Sequence, residues 1–248
     1  MAPYLSLVIP AYNEAKRLPP TMARLEEFAR DFKRSMEVLI VVEKSTDGTL
    51  EIARELASQQ AHFAGVAEVI DNTVQRGKGY AVRSGMLRAK GEFVFYMDAD
   101  LSVPLREIEL FLTAFEEQPD AQVLIGNRQH ARSRITVSQS WMRRSMGQTF
   151  NRILGLLAIA GTRRDTQCGF KAFRRDAAQA IFSRQQIDGF AFDVEVLLLA
   201  EQLGFQIADL PVEWINSPES KVHIFRDSVQ MLRDAIRVRR IVDPKQKL

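Results

Sequence analysis

The chain has 248 residues, 46% of them hydrophobic and 26% charged, which is enough for one sizeable α/β domain with a full core. Its formal net charge of +3 is too small to indicate nucleic-acid binding. The single cysteine, Cys168, excludes an internal disulfide framework and fits a reducing compartment.

Strands and helices are predicted to alternate along the first half of the chain. The predicted strands here are Tyr4–Ile9, Val38–Val42, Val66–Asp71 and Glu92–Met97. The predicted helices are Glu14–Lys33, Thr49–Gln60 and Gly77–Arg88. Short strands separated by helices favour right-handed crossovers, and hence an α/β fold with a mostly parallel sheet flanked by helices.

The second half is less regular. Helices are predicted at Pro104–Gln118, Met146–Ala160, from Asp176, at Phe192–Leu203 and at Phe225–Val242. Strands are predicted at Ala121–Gly126, at Gln206–Trp214 and, as an edge strand with a turn, within Asp165–Phe173. A polar, arginine-rich stretch covers Asn127–Arg144. No repeat or linker interrupts the pattern, so residues 1–248 are predicted to form a single domain.

Two carboxylates, Asp98 and Asp100, follow the apolar strand that ends at Met97. On an extended backbone their side chains would point to one side and could face one hard cation that also holds a diphosphate, the usual mode for Mg²⁺ or Mn²⁺. An ordinary turn or helix cap is the alternative for the bare triplet. Ligands of parallel sheets bind beyond the carboxyl ends of the strands, where Asn13, Glu14 and Glu43 also lie.

Two further segments carry polar groups suited to a ligand. Arg76–Gly79 is a basic glycine loop at the start of a helix, where backbone N–H groups attract phosphate; a solvated turn is the alternative. Asp165–Lys171 combines an acid, a glycine turn and a base. Cys168 within it lacks the partners of a metal site or a thiol nucleophile, so it is predicted to be a packing residue.

The last predicted helix is amphipathic and basic. Its apolar stripe contains Phe225, Val229, Leu232 and Ile236, and its arginines are Arg226, Arg233, Arg237, Arg239 and Arg240. This pattern suits an anionic membrane surface, although packing on the core with a solvated basic face is the alternative. No apolar run approaches the roughly 20 residues of a membrane-spanning helix. Met1 leads almost directly into a strand, so no leader peptide is predicted. The expected location is cytoplasmic, including the inner membrane face.

Five segments together resemble family 2 glycosyltransferases of the GT-A fold. They are Val8–Glu14, Arg76–Gly79, Asp98–Ser102, Asp165–Lys171 and Ser220–Lys221. Within the family they are most similar to the branch of dolichyl-phosphate glucosyltransferases and dolichyl-phosphate mannose synthases. The resemblance runs from about Tyr4 to Arg240. It implies a nucleotide-binding half over residues 1–103 and an acceptor-side half over residues 104–248.

The resemblance implies inverting, metal-dependent transfer of a hexose, glucose favoured, from a nucleotide-sugar to a polyprenyl phosphate. A UDP-sugar is favoured and a GDP-sugar is open. Residues matching the donor site are Pro10, Ala11, Tyr12, Glu14, Glu43, Arg76, Lys78, Asp98, Ala99 and Asp100. Residues matching metal contacts are Asp98, Asp100 and Ser102. Catalytic roles fall on Asp98, Asp100, Arg128, Asp165 and Lys221. Asp165 is interpreted as an orienting group near the sugar, because a phosphate nucleophile needs no strong base.

One segment departs from the family. Relatives usually carry a paired aspartate and a glycine after the second strand, where this chain has the shorter run Glu43–Thr49. Glu43 is predicted to replace the aspartate that accepts from an imide N–H of the base. Two alternatives stay open: a soluble hydroxyl acceptor, for which Asp165 would be the base, and a catalytically silent nucleotide-sugar-binding module. A homo-oligomer also stays open.

Overall fold

The computed structural model describes residues 2–59, 67–136, 165–215, 233–234, 237–238 and 241–242. Its strands are β1 Leu5–Ala11, β2 Met36–Glu43, β3 Ala67–Asn72, β4 Phe93–Met97, β5 Ala121–Asn127, β6 Arg134–Ile135, β7 Phe170–Arg174, β8 Gln206–Pro211 and β9 Glu213–Trp214. Its helices are α1 Leu18–Asp31, α2 Thr49–Gln59, α3 Lys78–Arg88, α4 Glu107–Glu117, α5 Arg175–Phe182 and α6 Phe192–Gln202. Every predicted element in these ranges is present, with its ends shifted by a few residues at most.

Seven strands form one sheet in the order β3-β2-β1-β4-β7-β5-β8, and β6 pairs with β9 in a separate two-stranded ribbon. Within the large sheet only β7 runs antiparallel to its neighbours β4 and β5. The predicted α/β fold with a mostly parallel sheet is therefore confirmed. The carboxyl ends of β1, β2, β4 and β5 meet at one edge, and the chain enters β7 at that same edge.

The position of β7 corrects the predicted edge strand. β7 lies inside the sheet between β4 and β5, and Phe170, Ala172 and Phe173 are completely buried. Lys171 is the only buried cation of β7. Its charge within an apolar run gives the sequence the mixture of polar and apolar residues that is typical of an edge strand. Its ammonium group is paired inside the protein with Asp193, so the charge does not have to reach water.

Both faces of the sheet are covered by helices. One core packs α1, α2 and α4 against Leu5, Leu7 and Ile9 of β1. The other packs α3, α5 and α6 on the opposite face, which β1 meets through Val8. A strand that is buried on both faces has a continuous run of apolar residues in its sequence, whereas a strand with one exposed face alternates apolar and polar residues. The continuous runs explain why these strands could be predicted from the sequence.

Two element boundaries differ from the sequence prediction for local reasons. Helix α1 begins at Leu18 rather than Glu14, because Asn13 has a φ of 54° and the N–H of Glu14 donates to Thr49 Oγ1 at 2.8 Å. Pro19 and Pro20 lie in the first turn of α1, where proline suits a helix N-terminus. The predicted strand Gln206–Trp214 is divided after Pro211 between the large sheet and the ribbon.

Little of the predicted C-terminal helix belongs to the described residues. Residues 233–234, 237–238 and 241 are helical, with Arg233 and Arg237 exposed and Val238 and Val242 buried. The predicted helix Met146–Ala160 lies outside the described residues. In the part of the chain that the structure describes, no helix combines the length and the apolar character needed to cross a membrane.

Candidate active site

The segment after β4 forms a tight turn instead of an extended continuation of the strand. The N–H of Leu101 donates to the carbonyl oxygen of Asp98 at 3.2 Å, and Leu101 has a φ of 50°. The carbonyl of Ala99 accepts from Thr21 Oγ1 at 2.6 Å, which ties the turn to α1. The expected extended backbone is therefore wrong here. The turn, which is closed by its own hydrogen bond and tied to α1 by a second, sets the positions of the two carboxylates.

The two carboxylates of this turn have different partners. Asp98 Oδ1 lies 2.6 Å from Lys78 Nζ. Asp100 Oδ1 accepts from the N–H of Ser102 at 2.9 Å and from its hydroxyl at 2.7 Å. Ser102, which the resemblance offers as a metal contact, thus orients Asp100 in this structure. Its role as a ligand stays a prediction.

Gly169 gives the Asp98 carboxylate its room, a feature that the sequence analysis did not single out. A Cβ built on Gly169 would lie 2.1 Å from Asp98 Oδ2 and 2.7 Å from Asp98 Cγ. Such distances are far below van der Waals contact. The strand that enters the sheet beside β4 therefore needs a glycine at the point where it passes the acid.

We expect Gly169→Ala to displace Asp98 and to weaken donor and metal binding strongly. The added methyl group should also destabilise the fold by about 1–3 kcal/mol, as overpacking commonly does. Calorimetric titration with nucleotide and Mn²⁺, alongside thermal denaturation, measures both effects. Gly204→Ala is the control: Gly204 has a φ of 77° and no neighbour within 4 Å of an added Cβ. That variant should lose stability yet keep its affinity, and equal affinity in the two variants would contradict this role of Gly169.

The predicted donor-binding segment at the end of β1 is hydrogen-bonded to the short loop after β2. Pro10 and Ala11 end the strand, and Asn13 follows with its N–H donating to Ser45 Oγ at 3.0 Å. In return, Asn13 Oδ1 accepts from the N–H of Thr46 at 2.8 Å. Tyr12 is partly buried in the same segment. The shortened loop thus closes onto the predicted donor segment without the usual glycine.

Glu14 lies in the same segment, at the entrance to α1. Its carboxylate pairs with Arg17, with Arg17 Nη1 at 3.3 Å from Glu14 Oε1. Both side chains are largely buried. This pairing places a polar, ion-paired group beside the loops at the ends of β1 and β2.

Glu43, the last residue of β2, is buried and holds the basic glycine loop. Glu43 Oε1 accepts from the N–H of Arg76 at 3.0 Å and from that of Gly77 at 2.9 Å, and Oε2 lies 3.1 Å from the latter nitrogen. Burial raises the pKa of the Glu43 carboxyl. A side chain predicted to read the base therefore also organises the loop expected to bind phosphate. Contact with a base stays a prediction.

The loop Arg76–Gly79 packs against residues 187–189 and is not a solvated turn. Gly77 has a φ of 127°, and a Cβ there would lie 2.6 Å from the carbonyl oxygen of Asp188. A Cβ on Gly79 would lie 2.5 Å from the carbonyl oxygen of Ile187. Arg76 Nε donates to Asp188 Oδ2 at 2.8 Å. This close packing fixes the start of α3 and hence the position of Lys78.

Arg128 and Asp165, predicted separately, form one ion pair in which Asp165 is buried and Arg128 is partly buried. Arg128 Nε donates to Asp165 Oδ2 at 2.8 Å, its Nη2 to Oδ1 at 2.8 Å, and its backbone N–H to Oδ2 at 2.9 Å. Burial alone would raise the pKa of Asp165, but the charge and hydrogen bonds of Arg128 outweigh it and hold the pKa below its ordinary value. Asp165 is thus a stable anion and a weak base.

Comparison with known proteins identifies the family. The sequence model described as "Glycosyl transferase family 2" matches residues 6–182, well over half of the chain. The chain belongs to glycosyl transferase family 2. The predicted family and the predicted class of enzyme, a glycosyltransferase, are both confirmed.

Two curated relatives resemble this family 2 glycosyltransferase over most of their own length. The dolichyl-phosphate beta-glucosyltransferase of Dictyostelium discoideum is 33% identical over 245 residues, which are 95% of this chain and 74% of the relative. That of Drosophila melanogaster is 34% identical over 239 residues, which are 93% of this chain and 72% of the relative.

Solved structures share the fold at low sequence identity. Mannosyl-3-phosphoglycerate synthase from Rubrobacter xylanophilus matches with a TM-score of 0.69 at 19% identity, over 99% of this chain and 77% of that one. Glucosyl-3-phosphoglycerate synthase from Mycobacterium tuberculosis, solved with Mn²⁺, UDP-glucose and phosphoglyceric acid, matches with a TM-score of 0.67 at 15% identity. This match covers 95% of this chain and 79% of the other.

A buried charged cluster beneath the Asp98 turn was missed by the sequence analysis. Lys171 is fully buried; its Nζ contacts Asp193 and donates to the carbonyl oxygen of Cys168 at 2.7 Å. The hydroxyl of Tyr96 donates to the same Asp193 carboxylate. Burial raises the pKa of the Cys168 thiol to about 11, which fits a packing role. The only signal in the sequence is a pair of opposite charges, each within an apolar element.

One predicted catalytic residue has no structural description. Lys221 lies outside the described residues, as do Arg226, Arg239 and Arg240 of the predicted basic helix. Their roles stay predictions. Within the described part of the chain, the structure brings together Lys78, Asp98, Asp100, Arg128 and Asp165 at the carboxyl edge of the sheet.

Proposed function

We propose that this glycosyltransferase transfers glucose, with inversion, from UDP-glucose to a polyprenyl phosphate. The observation that carries the proposal is the similarity to dolichyl-phosphate beta-glucosyltransferases over more than nine-tenths of the chain. The arrangement of acids and bases at the carboxyl edge of the sheet supports it. The choice of glucose as the sugar and of uracil as the base is part of the proposal, because the loops that contact them have no sequence pattern that specifies either group.

The residues at Asp98 and Asp100 fit a divalent cation. Carboxylate oxygens are hard ligands, and Asp98 Oδ1 already faces a cation, the ammonium group of Lys78. Among the described residues, no group of three or more acidic, histidine or cysteine side chains could hold an ion alone. A diphosphate would therefore complete the coordination. A divalent cation held there, Mg²⁺ or Mn²⁺, would stabilise the negative charge that builds on the leaving diphosphate.

The cationic side chains around the turn suit a diphosphate leaving group. Lys78 lies beside Asp98, and Arg76 lies at the outer end of the same loop with its guanidinium 4.4 Å from the centre of the Tyr80 ring. Positive charges that are already in position before the reaction stabilise the negative charge that develops on the leaving group in the transition state. We assign Lys78 and Arg76 to the donor phosphates, and Lys221 to the acceptor phosphate.

The state of Asp165 favours a phosphate acceptor over a hydroxyl acceptor. A hydroxyl nucleophile needs a base that removes its proton, whereas a phosphate oxygen is already anionic at neutral pH. Asp165 was the candidate base, yet Arg128 holds both of its oxygens and lowers its pKa. In this proposal the pair Arg128–Asp165 orients groups near the sugar. Peripheral contact with an anionic membrane, where a lipid acceptor resides, rests on the exposed Arg233 and Arg237.

The test is transfer of radiolabelled glucose from UDP-glucose to a short-chain polyprenyl phosphate in detergent, followed by extraction into organic solvent. Label is expected in the organic phase with Mg²⁺ or Mn²⁺ and is expected to disappear with excess chelator. UDP-glucose hydrolysis without lipid labelling would contradict the acceptor. Binding of UDP-glucose with neither hydrolysis nor transfer would instead support a silent binding module.

Glu43 provides a separate test of the base. If Glu43 reads the base, Glu43→Ala should weaken UDP binding by at least about 10-fold, the loss of one buried hydrogen bond to a charged group, and GDP binding much less. If it only holds the loop, both nucleotides should lose affinity equally, because the loop is shared. Titration calorimetry with UDP and GDP measures the two losses. Unchanged affinity for both nucleotides would exclude either role.

A further inference from the structure

We propose that Lys78 takes the place of the divalent cation at Asp98 in the ligand-free enzyme and moves its charge to the donor diphosphate when the cation binds. The metal and the nucleotide would then bind as one unit, and the metal alone would bind weakly. This inference rests on the proposed function, since it assumes a cation and a diphosphate at this site.

The geometry makes Lys78 a built-in competitor for the cation. Its Nζ lies 2.6 Å from Asp98 Oδ1, and the two side chains are 19% and 40% exposed, so the pair is only partly screened by water. Both partners are held in place: tight contacts at Gly77 and Gly79 fix the start of α3, and Gly169 lies against the other Asp98 oxygen. A cation that uses Oδ1 must displace the ammonium group.

The surrounding charges explain why a diphosphate is needed to displace it. Burial disfavours the ammonium form of Lys78, but the negative charges of Asp98, Asp193 and Asp100 together outweigh it and raise the pKa of the lysine. Asp193, however, is already contacted by Lys171 and Tyr96, so it gives little help with a second cation. A divalent cation added alone would face a nearby ammonium group of the same sign. A diphosphate supplies negative charge to both the cation and the lysine.

The coupling between metal and donor is reciprocal by thermodynamic linkage. If Lys78 opposes the metal in the free enzyme and binds the diphosphate in the complex, removing its charge should have opposite effects on the two ligands. A residue that only supports the fold would weaken both. The sign of the two changes therefore separates the proposed role from a structural one.

The experiment uses the whole chain with Lys78→Met, which keeps a long unbranched side chain and removes the charge. Mn²⁺ alone, followed by electron paramagnetic resonance of the free ion, is expected to bind about 10-fold more tightly to the variant, the scale of one partly exposed ion pair. UDP titrated at saturating Mn²⁺ is expected to bind about 10-fold more weakly, since one phosphate-neutralising charge is lost. Unchanged or weaker Mn²⁺ binding by the folded variant would overturn the proposal.

Two further variants make the result specific. Arg88→Met removes one positive charge from the exposed far end of α3 and is expected to leave both affinities unchanged. The gain in Mn²⁺ affinity should vanish when Lys78→Met is combined with Asp98→Asn, because the competition is for that carboxylate. If Lys78→Met fails to fold, Lys78→Gln takes its place. Wild-type protein that binds neither Mn²⁺ nor UDP would refute the proposed function itself, whereas normal wild-type binding with no gain in the variant refutes only this inference.

Discussion

Asp100→Asn is expected to abolish metal-dependent donor binding and to lower kcat/KM by roughly 1000-fold, the loss typical of removing a group that stabilises transition-state charge. Asparagine keeps the oxygen that accepts from the N–H and the hydroxyl of Ser102, so the turn should stay intact. The change removes only the negative charge that the cation needs. Transfer assays and Mn²⁺ titrations with UDP measure the two effects.

Comparison with Asp100→Ala separates the charge from the turn. Alanine also removes the oxygen that Ser102 contacts, so this variant should lose about 1 kcal/mol of stability in addition, as when a capping oxygen is deleted. Asp120→Asn, at an exposed acid in the loop before β5, is the matched control and should behave like wild type. Full activity of the wild-type protein in excess chelator would contradict the metal role of Asp100.

Asp165→Ala is expected to cost about 3 kcal/mol of folding free energy, the lower end for breaking a buried ion pair, because it leaves the partly buried guanidinium of Arg128 without its partner. Asp165 is completely buried and accepts three hydrogen bonds from Arg128. Urea unfolding at neutral pH measures the loss. The double variant Asp165→Leu with Arg128→Met should recover much of the stability, since an apolar pair needs no compensating charge, but it should not recover transfer.

The same pair predicts how stability depends on pH. The pKa of Asp165 in the folded protein lies below its ordinary value of 3.8. The stabilisation is therefore complete above that ordinary value and is lost as the pH falls from there through the folded pKa. Acid unfolding of the wild-type protein should be steeper in this range than that of the apolar double variant. Identical acid profiles would show that the pair contributes no pH-dependent stability.

The fold was largely predictable because its strands are buried on both faces and its helices carry an apolar stripe. The long run Val38–Val42 and the run Phe93–Met97 admitted few other interpretations. β7 was misplaced at an edge because Lys171 interrupts it. The sequence around Lys171 does not show that Asp193, more than 20 residues later, neutralises it inside the protein.

The candidate site was predictable to the extent that its residues follow strand ends. Asp98, Asp100 and Glu43 lie where a parallel sheet binds ligands, and the structure brings Arg128 to Asp165 as neighbours. The contact of Gly169 with Asp98 could not be predicted from the sequence, because the order of the strands in the sheet decides which loops lie next to each other. The hydrogen bonds between Glu43 and the glycine loop could not be predicted either, because they join the ends of two different strands, β2 and β3.

The acceptor is the most direct point at which to test the proposed reaction. Purified protein with UDP-glucose and a divalent cation would be given either a polyprenyl phosphate or the matching polyprenol in the same detergent, and the products weighed by mass spectrometry. The arrangement of Arg128 and Asp165 predicts a glucosyl phosphate lipid from the polyprenyl phosphate and no product from the alcohol, because Arg128 holds both oxygens of Asp165, the predicted base for a hydroxyl acceptor. Glucosylated polyprenol, or product formed only with soluble hydroxyl acceptors, would contradict it.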